Sequence, residues 1–122
     1  MINFQGTIIE ESLVSKEVLN KVKVISTETS QVTERHKTPW VSQWTMYLVE
    51  VPESDAEKIA EQIKDSLDPD HAWYADYRNE DYHYVIFRDE VFLIDRKDKQ
   101  QYEEAKQHGA GLGIPDYQLD FK

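Results

Sequence analysis

Between His71 and Asp95 lie three short runs, HAWYADY, HYVIF and VFLID, rich in β-branched and aromatic residues and separated only by polar breaks at NED and RDE. Breaks this short cannot hold the crossover that parallel strands need, so the runs form an antiparallel meander. No other feature of the sequence constrains the fold as tightly. If Asn79 and Glu80 make a two-residue turn, Asp76 pairs with His83 and Tyr77 with Tyr82. Trp73, Ala75, Tyr77, Tyr82, Tyr84 and Ile86 then share a face suited to burial. The opposite face carries Tyr74, Asp76, His83, Val85 and Phe87. A three-residue loop would instead slide His83 opposite Tyr77 and separate it from Asp76.

Two helices flank the meander. In SDAEKIAEQIKDSL the residues Ala56, Ile59, Ala60, Ile63 and Leu67 fall on one face at helical spacing. Ser54 with Glu57 three positions on has the form of a capping box, which predicts a helix over 54–67. Asp98 as N-cap and Gly109 as a left-handed stop predict a second helix over 98–108, with Gln101 reaching back to the cap. Ahead of the first helix, WVSQWTMYLVEV is apolar on both faces, with Trp44, Met46 and Leu48 on one and Tyr47, Val49 and Val51 on the other, as in a central strand. GIPDYQLDF can add a closing edge strand.

The expected architecture is α+β: a mostly antiparallel sheet with both helices on one face and a ferredoxin-like element order from Trp40 onward. Residues 1–33 form a strand-rich extension, with a strand in INFQGTIIEESL, helical turns capped by Ser15, and an alternating strand in KVKVISTETSQVT. Residues 40–121 form the ferredoxin-like unit, and Arg35 to Pro39 the longest loop. With 122 residues, one domain is expected.

Composition narrows the function classes. A net charge of -10 opposes binding to nucleic-acid phosphates and anionic lipid. No apolar run is long enough for a membrane span, and MINFQGTIIEE lacks a secretory pattern, which points to a soluble cytoplasmic protein. The absence of cysteine removes disulfides, thiolate metal sites and a thiol nucleophile.

Three places can hold chemistry. Asp76 beside His83 is the geometry of a general base with its orienting carboxylate, although such a pair on a sheet face is more often structural. His71 joined to those two offers imidazole and carboxylate to zinc or iron, but the spacing matches no ligand motif, so no metal or cofactor is expected. Arg35, His36 and Lys37, followed by Trp40, form the one compact basic island of an acidic chain, suited to a small anionic or aromatic ligand. HGAGLGIP has alternate glycines, but it closes a helix where a phosphate loop would open one.

The segments ERHKTPWVSQWT, KDSLDPDHAWYADY, HYVIFRDEVFLIDR and LGIPDYQLDF resemble those of a group of small bacterial and archaeal proteins of about this length that have no assigned activity. The resemblance runs from Glu34 onward, implies a prokaryotic cytoplasmic protein, and carries over no site residues. Together these observations favour a non-enzymatic binding or regulatory module that self-associates as a dimer through sheet or aromatic surface. The alternatives are a small hydrolase or isomerase using His83 and Asp76, and an acidic inhibitor that mimics nucleic acid.

Overall fold

The computed structural model of the chain describes residues 3–31, 43–70 and 73–114. Strand β1 (Phe4–Ile9) is followed by 3-10 turns at Glu10–Ser12 and Glu17–Lys21, then β2 (Lys23–Gln31) and β3 (Gln43–Val51). A further 3-10 turn at Glu53–Asp55 leads into helix α1 (Ala56–Ser66), followed by β4 (Tyr74–Arg78), β5 (Tyr82–Phe87), β6 (Val91–Asp95) and helix α2 (Lys99–Gly111). All six strands join one antiparallel sheet in the order β2-β3-β1-β4-β5-β6.

The α+β class and the β4-β5-β6 meander agree with the sequence reading, but the ferredoxin-like order does not describe this sheet. In that motif the strand before the first helix pairs with strands that follow it. Here the strand before α1 is β3, and its neighbours are β1 and β2. Strand β1 lies inside the sheet, between β3 and β4, so residues 1–33 are not a separable extension.

The insertion of β1 depends on Gly6, which faces Val49 on one side and Tyr77 on the other. A Cβ at this position would lie 1.9 Å from the Asp76 carbonyl oxygen and 2.4 Å from the Tyr77 Cα. Only a residue without a side chain allows β1 and β4 to approach this closely. The β2 edge is the reverse case: Lys23 to Thr29 are all exposed, and a register shift between Val24 and Ser26 interrupts its pairing with β3.

The helices cover opposite faces of the sheet, not one. Tyr77, Tyr84 and Ile86 pack in the main core with Ala56, Ile59, Ala60 and Ile63 of α1. Val85 and Phe87, which alternate with them along β5, pack in a second core with Ala105 of α2, joined by Tyr102, Leu112 and Ile114. The Trp73–Ile86 face is buried as its pattern predicts, except at Tyr82, which is 46% exposed. The other face is buried as well wherever α2 covers it.

Both helices differ from expectation at their ends. The 3-10 turn at Glu53–Asp55 takes up Ser54, so the helix starts at Ala56 with Asp55 as N-cap and no side-chain cap bond; the capping box does not form. The apolar face is nevertheless as predicted, and at its start the buried Tyr77 hydroxyl donates to the Ala56 carbonyl. Burial holds that phenol well above its ordinary pKa. Ser15 likewise caps nothing, because Lys16 precedes the second 3-10 turn without a side-chain cap bond.

In α2, Asp98 caps as predicted, accepting from the amides of Gln100 and Gln101 at 3.0 and 3.3 Å. The Gln101 side chain reaches instead to β6, accepting from the Asp95 amide at 2.7 Å. The helix passes through Gly109, which is buried on the same face as Ala105, and the small residues let it lie close to the sheet. Its stop is Gly113, at φ 97°, with Gly113 N–H to Ala110 and Ile114 N–H to Gly109 closing a Schellman motif. The expected closing strand after Ile114 lies outside the described residues.

His108, in the last turn of α2, contacts the Asp89 carboxylate at 2.8 Å, its ring 5.1 Å from Phe87 and 5.4 Å from Phe92. The hydrogen bond from His108 is the main cause holding the Asp89 carboxyl below its ordinary pKa.

Three substitutions test these contacts. Gly6→Ala should lose at least about 2 kcal/mol in urea denaturation, since the clash is with backbone that cannot step aside. Gly111→Ala, whose Cβ meets nothing within 4 Å, should gain about 0.5–1 kcal/mol from helix propensity. Asp89 has a depressed folded-state pKa, so the stability it adds is present above its unfolded-state value and lost as pH falls through the folded one. Asp89→Asn should therefore differ from the parent at neutral pH, and the two stability curves should converge in acid, below about pH 4.

Candidate functional site

The face of the sheet that α2 covers over β5 and β6 is left uncovered by the described residues over β3, β1 and β4. There the outward residues are Leu48 of β3, Gln5 and Thr7 of β1, and Asp76 and Arg78 of β4, aligned by the pairs Thr7–Leu48, Thr7–Asp76 and Gln5–Arg78. They line a groove of about 630 Å³ whose rim is completed by Asn3, Asn79, Glu80 and Arg96. Leu48, expected on a covered face of a central strand, is 38% exposed here.

The β4–β5 turn decides what reaches this groove. Asn79 N–H donates to the Tyr82 carbonyl at 2.9 Å, and its side-chain oxygen accepts from the amides of Asp81 at 2.9 Å and Tyr82 at 2.8 Å. Asn79 thus forms an Asx turn and enters the strand ladder, leaving Glu80 and Asp81 as the turn residues, one position later than expected. Asp76 faces Val85, and His83 faces Arg78. Moving a two-residue turn by one position changes every pairing by two residues, and an even shift keeps each side chain on its face. Asp76 and His83 are therefore diagonal neighbours on one face, close enough for their side chains to meet.

The His83 ring is fully buried between β5 and α2. Its Nε2 lies 2.7 Å from Asp76 Oδ2 and its Nδ1 3.1 Å from the Tyr102 hydroxyl. A carboxylate can only accept, so in the neutral imidazole Nε2–H donates to Asp76 and Nδ1 accepts from Tyr102. Asp76 itself is only part-buried, its side chain 26% exposed where it borders the groove. The buried imidazole thus anchors the carboxylate of Asp76, a residue that lines the groove.

Arg96 is held at the rim, donating through Nη1 to the Asn79 carbonyl at 2.6 Å, with its backbone N–H bound to the Asp81 carbonyl at 3.0 Å. Among the described residues, ion pairs involve Lys16, Lys23, Lys64, Lys106, His83 and His108, but neither Arg78 nor Arg96.

Of the residues singled out from sequence, Asp76 and His83 do come together, but with His83 sealed from solvent. Arg35, His36, Lys37, Trp40 and His71 lie outside the described residues. No group of three metal-ligating side chains occurs among those described. Sequence reasoning missed Arg78 and Arg96. For Arg78 a signal existed, since it lies two residues from Asp76 on the same strand and hence on the same face.

No family model, curated protein or solved structure matches the chain.

The anchoring role of His83 can be measured by urea denaturation. Asp76→Ala leaves a buried N–H without its acceptor and should cost about 1–3 kcal/mol, whereas Asp76→Asn keeps an oxygen in place and should cost clearly less. Equal losses in the two variants would contradict the anchoring contact.

Proposed function

We propose that the chain is a small non-enzymatic binding module whose ligand presents an anionic group to the groove over β1 and β4. The observation that carries this reading is the presence of two guanidinium groups, Arg78 and Arg96, at one groove with no ion pair among the described residues. The chain has 24 acidic residues for 14 lysines and arginines, and only four arginines. Where carboxylates are in such excess, a purely solvating surface has little reason to leave two guanidiniums at one site without an ion pair among the described residues. Arginine also offers a planar fork of donors that matches a carboxylate or phosphate.

Arg96 is already oriented by the Asn79 carbonyl, which lowers the ordering cost of binding. A volume of about 630 Å³ is within the usual span for a small-molecule site. No aromatic ring lines the groove among the described residues, so of the anionic and aromatic ligands considered from sequence, the geometry supports the anionic one. An enzyme using His83 with Asp76 has less support. A general base must come within about 3 Å of the proton it takes, and His83 has no exposed surface.

A thermal-shift screen of small carboxylates and phosphates tests this reading. At a hundredfold excess over Kd, binding adds about 2.7 kcal/mol to stability, which is a readily measured rise in Tm. The rise should vanish in Arg78→Ala and Arg96→Ala, while the ligand-free Tm of each stays near that of the parent, both side chains being exposed. A screen without any shift, or a shift that survives in both variants, overturns the proposal.

A further inference from the structure

Resting on the reading of the groove as an anion-binding site, we infer that its ligand is a zwitterion, of the class of free α-amino acids. The two arginines do not face the ligand alone. Asp76 and Glu80 line the same groove, so its formal charges cancel. A polyanion would gain from Arg78 and Arg96 but be opposed by the two carboxylates, and a simple cation would meet the reverse. A molecule carrying both signs satisfies both sets of groups.

The placement of the charges gives them distinct tasks. Asp76 is short, and its carboxylate stays near the sheet, with Oδ2 fixed 2.7 Å from the buried His83 Nε2. The carboxylate of this groove-lining residue is thus an acceptor whose position is set before any ligand arrives. Thr7, directly opposite Asp76 on β1, brings a hydroxyl to the same spot. An ammonium, with three donors and no acceptor, fits this floor.

Arg78 lies two residues along the same strand, about 7 Å from Asp76 at the rise of an antiparallel strand, and its long side chain gives the carboxylate a partner at the rim. Arg96 converges on the same rim from the end of β6. In an α-amino acid one carbon separates ammonium from carboxylate, so a single compact head group bridges floor and rim. The side chain is then left to the rest of the groove, past Leu48, Gln5 and Asn3.

Isothermal titration of the full chain with the twenty amino acids, and with the N-acetyl and amide derivatives of those that bind, tests the inference. At least one amino acid should bind, with both of its derivatives weakened tenfold or more. Asp76→Asn, which keeps an oxygen for His83, should weaken the amino acid tenfold and leave the N-acetyl derivative unchanged. If no amino acid binds while other anions do, or if the N-acetyl derivative binds as well as its parent, the zwitterion inference fails and the anion site stands. If the amide binds as well as the parent, the carboxylate is not what the arginines hold, and both readings fall. The derivatives report on the parent protein, so the outcome does not depend on any variant folding.

Discussion

Five consecutive residues of β5, His83 to Phe87, are buried. A strand side chain alternates between faces, so a run of this kind is possible only where both faces of the sheet are covered. This two-sided burial is the condition from which the rest of the structure follows. Tyr84 and Ile86 require α1, and Val85 and Phe87 require α2, so the helices must separate to opposite layers. Because α2 covers only the β5–β6 half of its face, the described residues leave one side of β3, β1 and β4 open, and the groove occupies it.

Much of this was legible in the residues, for reasons that can be given one by one. Ala56, Ile59, Ala60 and Ile63 declare the buried stripe of α1 because helical periodicity survives any uncertainty about where the helix begins. The Trp73–Ile86 face was readable because alternation needs only a parity. What escaped was whatever depends on partners distant in sequence. HYVIF and WVSQWTMYLVEV both carry apolar residues on both faces, and local pattern alone cannot say that α2 covers the second face of β5 while Leu48 of β3 stays exposed. The place of β1 inside the sheet was also hidden, although a glycine within a strand pattern is a known sign of close backbone approach, and Gly6 is such a case.

The site shows the same division. The sequence pairs Asp76 with His83, and the side chains do meet, yet through a turn one residue from the expected place. The contact survives because the resulting shift is even. Burial then separates the two partners: His83 becomes a concealed support, and Asp76 the group that faces solvent. Arg96 joins the groove because the antiparallel β5–β6 pairing carries the chain back beside the Asn79 turn, where its side chain meets the Asn79 carbonyl.

The central position of β1 has a consequence for how the chain acquires its structure. Phe4 pairs with Val51 and Gly6 with Tyr77, so β1, the earliest of the six strands in the chain, has partners far along it. Such non-local pairing raises contact order and slows folding. During synthesis one edge of β1 waits until β3 has been made, and the other until β4 has followed α1. Of the six strands β1 is made earliest, and it waits through the synthesis of β2 for its first neighbour and through that of α1 for its second.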